Sequence, residues 1–211
     1  MRVYLQMMRP VGILRKAVIA ASICLWSGLS QADQVLPLDP SASWFHFTGD
    51  SFLHSFHGEA KEINGSAVAD LAATPPVQSA RLAFKTAELT TFNGERDEKM
   101  KEWMAVSVHP EVDFALEKVT PIAGDYREAT SSRPARFGVI GTLTLNGVKQ
   151  RITSEALGWR EKDRLVVCGD IVLNTLNFGL PQIRMVVITV APEVKTSYRL
   201  SFKLPPELAQ K

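Results

Sequence analysis

The chain has 211 residues, of which 45% are hydrophobic and 22% charged, a length that suits one domain. Its formal charge of +2 is misleading, because Arg2, Arg9, Arg15 and Lys16 are four of the 24 bases and residues 1–32 contain no acid; residues 33–211 hold 20 bases against 22 acids, near −2. No Lys/Arg stripe with interleaved aromatics occurs in that remainder, which excludes nucleic acid as a compositional reading.

Residues 1–32 read as a signal peptide. The four bases form an n-region, Ala17 to Leu29 an apolar h-region, and Ser30-Gln31-Ala32 a small-x-Ala site, so cleavage is expected after Ala32 and the product in the periplasm. An uncleaved anchor is the alternative, but the apolar run is about 13 residues where a spanning helix needs ~20. Cys24 follows Ile23, whereas a lipidated cysteine would need a small residue there. Cys168 is then the single cysteine of the mature chain, which excludes an intramolecular disulfide and leaves stability to the core. Cys168 reads as a small hydrophobe within a strand.

From Asp33 the pattern is short, β-rich and punctuated by turns. Phe45 and Phe47 alternate in a first strand. Leu53 to Ala60 and Ile63 to Leu71 flank Asn64-Gly65, a dipeptide that suits a hairpin turn. Thr74-Pro75-Pro76 ends what precedes it, because neither proline donates to a ladder. Ala80, Leu82 and Phe84 then alternate with Arg81, Ala83 and Lys85. One helix is expected between Asn93 and Met104. Asn93 caps it, Glu95 and Asp97 suit its positive end, Glu95/Lys99 and Asp97/Lys101 are i,i+4 pairs, and Met100, Trp103 and Met104 form the apolar stripe.

Val112 to Val119 reads as a strand with Phe114 on its apolar face, and Pro121 to Pro134 as a surface loop. The clearest stretch follows. Phe137, Val139, Gly141, Leu143 and Leu145 fall at every second position, and Asn146-Gly147 supplies a type I′ turn into a return strand from Val148 to about Trp159. Gly141 leaves room on the apolar face for a close approach. Leu165 to Leu173, Ile183 to Val190 and Ser197 to Leu204 complete the strands, with Asn177 to Pro181 as a loop carrying Phe178 and Leu180 as exposed apolar residues. Eight to ten strands with one helix indicate an antiparallel barrel or sandwich, and alternation does not distinguish the two.

Little in the chain suggests catalysis. Gly-x-Ser-x-Gly, Walker, Cys-x-x-Cys and His-Glu-x-x-His motifs are absent. His54 and His57 are the close histidine pair, but i,i+3 on a strand sends the rings to opposite faces, so no metal site is expected. Glu95, Asp97, Glu98 and Glu102 lie on the solvated side of the helix.

Several segments together resemble the YceI-like family of exported lipid-binding proteins. Gly141-Thr-Leu-Thr-Leu-Asn-Gly147 resembles its G-x-L-T-L-x-G core, and Arg96-Asp97 with Met100, Trp103-Met104, Pro110 and Phe114 its helix-to-strand segment. Asn177-Phe178-Gly179-Leu180 resembles its late D-F-G-hydrophobic loop, and Asp39, Ser43, Phe45 and Phe47 its opening pattern. The resemblance implies an all-β, antiparallel, lipocalin-like barrel of about eight strands with one short helix over residues 33–211. It implies no enzymatic activity and no cofactor, but an isoprenoid or fatty-acyl lipid held in an apolar bore for carriage or storage. Phe45, Phe47, Leu82, Phe84, Phe114, Val139, Leu143 and Leu145 would line that bore. Met100, Trp103 and Met104 would close one end, with Phe178 beside the ligand. A transient contact with a membrane or membrane protein, and a homodimer, are compatible with this reading. The alternative is a periplasmic interaction domain with a filled core and no ligand.

Overall fold

The structure, a computed structural model, describes residues 33–51, 54–184 and 189–209. The expected signal peptide and the start of the strand expected from Leu53 lie outside the described residues. In chain order the elements are β1 (Gln34–Pro37), β2 (Trp44–Ser51), β3 (Ser55–Ala60), β4 (Asn64–Ala69), β5 (Val77–Lys85), β6 (Leu89–Thr90) and α1 (Gly94–Trp103). Then come β7 (Glu111–Ala123), β8 (Ala135–Leu145), β9 (Val148–Glu161), β10 (Arg164–Asn174), β11 (Val190–Lys203) and the single turn α2 (Pro206–Ala209). The strands among the described residues form one antiparallel sheet of eleven, ordered β1-β4-β5-β7-β8-β9-β10-β11-β2-β3-β6.

Eleven strands replace the expected eight or so. β1 and β6 have four and two residues, too short for alternation to register. Asn64-Gly65 is not a turn but the start of β4, where Gly65 pairs with Leu82 and a Cβ would meet the Arg81 carbonyl oxygen at 2.2 Å. The glycine is there to admit a neighbouring backbone. The loop expected from Pro121 begins later, because β7 continues to Ala123 against β8. Pro121 is tolerated since β5 pairs with β7 only as far as Ala115, so beyond it β7 has one paired edge and one free. Residues 185–188 of the strand expected from Ile183 to Val190 lie outside the described residues; Arg184 and Thr189, on either side of them, form an isolated bridge, and Val190 begins the long β11.

The sheet curls back on itself. Leu38, one residue past edge strand β1, bridges to Phe202 of β11, and Asp39 N donates to the Ser201 carbonyl at 2.7 Å. At the other edge β6 follows β5 through the 3-10 turn Thr86–Glu88, so both edges return to strands from the middle of the sheet. Phe45 of β2 and Phe84 of β5, which are far apart in strand order, meet with ring centroids 5.4 Å apart. Two strands so separated can touch only across an enclosed interior. Two apolar clusters occupy it, one around Leu36, Leu38, Trp159 and Phe202, the other around Phe47, Met104, Val112 and Phe178, and Phe45 packs against both.

The β8–β9 hairpin is as the sequence indicates. Leu145 pairs with Val148, and Asn146 and Gly147 take φ of 52° and 72°, the left-handed pair of a type I′ turn. The approach at Gly141 comes from Phe114, whose ring would lie 2.3 Å from an added Cβ, with the Ala115 carbonyl oxygen at 2.7 Å. A ring can turn aside, but the neighbouring backbone cannot. Gly141→Ala is therefore expected to cost roughly 1–3 kcal/mol of unfolding free energy, measured by urea titration; a variant as stable as the parent would show that this close packing is not required.

Candidate functional site

The curled sheet encloses a cavity of about 660 Å³, within the usual range for small-molecule sites. Its wall is made by the inward faces of the strands, because successive side chains on a strand point to opposite sides. Across β5, β7 and β8 the register sets Leu82 beside Phe114 and Phe114 beside Leu143. Phe45, Phe47, Leu82, Phe84, Met100, Trp103, Met104, Phe114, Val139, Leu143 and Leu145 all line this one space. Phe178 does not. Together with Leu180 it was expected to be exposed, yet the two are 1% and 2% exposed. The turn Thr175–Phe178 folds inward, Gly179 ends it at φ 72°, and Asn146 Nδ2 donates to the Phe178 carbonyl at 3.1 Å, fixing the turn against the β8–β9 hairpin. Leu180 then reaches the cavity wall.

Alternation on the later strands carried further wall residues that the sequence reading left out: Ile152 and Ala156 on β9, Ile171 and Leu173 on β10, Val194 and Tyr198 on β11. Phe56 of β3 also lines the cavity; its lone aromatic ring in a short strand has no periodic signal. Beside Tyr126 the wall holds a second phenol, Tyr198. Burial, helped by Cys168 and Asp170, pushes its hydroxyl up to about 12, so it stays neutral across ordinary pH. Cys168 is half-buried, and burial pushes its thiol up as well, which argues against a reactive thiolate.

Helix α1 lies at one end of the cavity through Met100, Trp103 and Met104. Asn93 Oδ1 accepts from Arg96 N at 3.0 Å, the expected cap, and Glu95 pairs with Lys99 at 2.7 Å. The expected Asp97–Lys101 pair does not form; Lys101 meets Glu98 at 2.8 Å instead. Asp97 turns toward β6, accepting from Thr90 Oγ1 at 2.8 Å, Thr91 N at 2.7 Å and Thr91 Oγ1. A carboxylate offered three donors by the backbone and hydroxyls beneath it has no need of a solvated ammonium. At the helix's other end Trp103 Nε1 donates to the Pro181 carbonyl at 2.7 Å. The lid is thus fastened at both ends.

The histidines stand away from this space. His57 Nδ1 lies 2.9 Å from Thr48 Oγ1, His46 stacks on Trp44, and the His109 ring lies beneath Gly147. Among the described residues no group of three or more His, Cys, Asp or Glu is placed to hold a metal ion, and no helix is long and apolar enough to cross a membrane.

Comparison with known proteins bears on what this cavity is for. The family model described as the YceI-like domain matches residues 37–202. No curated protein sequence matches the chain. Among solved structures, Burkholderia cenocepacia BcnA superposes with a TM-score of 0.66 at 16% identity, covering 78% of this chain and 98% of that one. A polyisoprenoid binding domain from Saccharophagus degradans, implicated in plant cell wall breakdown, gives 0.63 at 14% identity, covering 82% and 100%. A Campylobacter jejuni YCEI protein gives 0.56 at 16%, covering 70% and 84%. At these identities the likeness is one of fold.

Asp97 supplies a test of how the lid is held. Burial pushes its carboxyl up, but the hydrogen bonds from Thr91 and Thr90 outweigh this and leave it below the usual range. A carboxyl depressed in the folded state contributes stability that is present above its unfolded value, near ~3.9, and is lost as pH falls through the folded value. Asp97→Asn is expected to lower unfolding free energy at pH 7 by roughly 1–3 kcal/mol. The gap from the parent should narrow as pH falls below about 4, measured by denaturant titration at a series of pH values. A gap that does not change with pH would separate Asp97's charge from the fastening of the helix.

Proposed function

Because this chain belongs to the YceI-like family, we propose that it is an exported, non-catalytic lipid-binding protein that holds a long apolar chain in its curled sheet. The observation that carries this reading is the continuous apolar cavity, lined from Pro76 and Tyr126 at one end to Met100 and Trp103 at the other. A ligand there gains affinity from apolar area removed from water, at ~25 cal/mol per Å², with few polar contacts to fix its position. A polyisoprenoid or a fatty-acyl chain meets that description, and the polyisoprenoid binding named for the Saccharophagus degradans domain favours the former. Phe45, Phe47, Leu82, Phe84, Phe114, Val139, Leu143 and Leu145 would contact the chain along its length. Met100, Trp103 and Met104 would cover one end, where methionine's flexibility suits a tail of variable shape. Phe178 would support that end from behind rather than touch the ligand.

Export follows from reading residues 1–32 as a signal cleaved after Ala32, with the periplasm as destination. Loading and release would involve transient contact with a membrane or a membrane protein. The competing reading, an interaction domain with a filled core, is disfavoured by the empty space between the sheet's walls.

The direct test is to purify the protein without detergent, extract it with organic solvent and identify the extract by mass spectrometry. A stoichiometric isoprenoid or acyl species is expected; a blank, in protein that also takes up no prenyl or acyl probe, would overturn the reading. Leu143→Trp places a larger ring opposite Phe114 in the bore. The variant is expected to fold and to bind prenyl probes about tenfold more weakly, equivalent to ~1.4 kcal/mol. Binding at the parent's affinity would remove Leu143 from the ligand's path.

A further inference from the structure

Between β9 and β10 the wall of the bore is paired along only part of its length. The register runs from Glu161 opposite Arg164 to Ala156 opposite Gly169 and stops there, although β9 goes on against β8 as far as Val148 and β10 against β11 as far as Asn174. Continued, it would set Ser154 opposite Ile171 and Ile152 opposite Leu173. Instead, among the described residues, no ladder joins 151–155 of β9 to 170–174 of β10, a stretch of about 17 Å. Ile152, Ser154, Ile171 and Leu173 all line the bore. Beyond them the gap is closed again by the turn Thr175–Phe178, where the Asn177 carbonyl accepts from Gln150 Nε2 at 2.7 Å. The parting is therefore a framed slot in the side of the bore.

Tyr198 spans the inner corner of this slot. It lies on β11 opposite Gly169, and its hydroxyl oxygen would be 2.5 Å from a Cβ at that glycine. The bare backbone at Gly169 lets the phenol cross β10, and its hydroxyl shares a hydrogen bond with the Ser154 side chain on β9. One side chain from the next strand over thus joins β9 to β10 where their own ladder ends. Thr196 Oγ1, on the same face of β11, donates to the Ile171 carbonyl at 2.9 Å and holds this half of β10 to β11 rather than to β9.

The outer frame adds no tie across the slot. Arg151 pairs with Glu117 of β7, Glu155 with Arg136 of β8, and Asn174 donates to Glu193 of β11, each partner lying on the side away from the slot. Leu157, Val172 and Leu176 lie exposed around it, so apolar side chains flank both its inner and its outer face. The two ends of the bore are held more firmly. Asp97 accepts from Thr90 and Thr91, and Trp103 donates to Pro181, at the helix end; Tyr126 donates to the Leu71 carbonyl and Arg127 to the Ala72 carbonyl at the other. Widening the slot costs the Tyr198–Ser154 hydrogen bond and breaks no backbone ladder, which makes it the part of the wall that opens most readily.

We propose that this slot is a side port through which the apolar chain enters and leaves the bore, and that Tyr198 is the positioning residue that latches it. The proposal rests on the lipid-binding reading above and adds the route of entry to it.

The test follows the binding and release of cis-parinaric acid by stopped-flow fluorescence, with geranylgeraniol as the chase. Tyr198→Phe is expected to raise the association and dissociation rates together, about tenfold, and to leave Kd within about twofold, because a latch acts on the barrier and not on the bound state. Unchanged rates would overturn the latch. A faster release with unchanged association would also overturn it, since Tyr198 would then be a contact of the ligand. The port itself is tested by placing Thr153→Cys and Val172→Cys, which point outward across the slot, in a Cys168→Ser background and bridging them with a short bismaleimide. Exchange is expected to slow at least about tenfold against the same protein before bridging. Exchange as fast after bridging as before would overturn the side port and leave lipid binding standing. If neither probe binds the parent, the lipid reading fails and the port with it.

Discussion

The tie between the first and last strands is the constraint on which the rest depends. An open antiparallel sheet of this width would present a broad apolar face to water. Here Leu38 bridges Phe202, Asp39 N donates to Ser201, and the Asp39 carboxylate, buried at the junction, meets Arg164 at 3.0 Å. Ser41 N and Oγ donate to the same carboxylate, and with Lys203 and Arg164 nearby it is held below its ordinary range. A few residues past β1 thus hold the sheet in its curl. The inward faces of the strands then face one another, as the meeting of Phe45 and Phe84 shows.

A curled sheet encloses more space than its own side chains fill. The close approaches at Gly141 and Gly58, where the Phe114 and Phe47 rings would clash with any Cβ, pack the walls tightly at particular points. Between those points the interior stays open. Its lining is largely apolar, and among its polar members Thr196 donates to the Ile171 carbonyl at 2.9 Å. It is suited to area-driven binding. Helix α1 borders it with Met100 and Trp103 and also with Arg96 and Lys99.

Much of this was legible in the residues. Strict alternation from Phe137 to Leu145, and again at Leu82 and Phe84, identified wall positions because the period of a strand is fixed by its pleat. The Asn93 cap and the Glu95–Lys99 pair were legible because they involve neighbours within one helical turn. What failed were features set by distant partners. Gly65 looked like a turn residue and is a point of close backbone approach; Phe178 looked exposed and is buried by a turn that folds inward; Asp97 looked like a partner for Lys101 and belongs to Thr90 and Thr91.

By itself the sequence determined the strand periodicity, the single capped helix with its apolar stripe, and which faces are greasy, since these follow from local stereochemistry and side-chain polarity. Only the tertiary structure decided that those faces close around open space rather than fill it, because that depends on how far the sheet curls and on which rings meet across it. It also decided that Arg96 and Arg184, 88 positions apart in the numbering, line one cavity. No local pattern encodes that juxtaposition: it arises from Val190 pairing with Ser51 and from Phe56 lying beneath the helix.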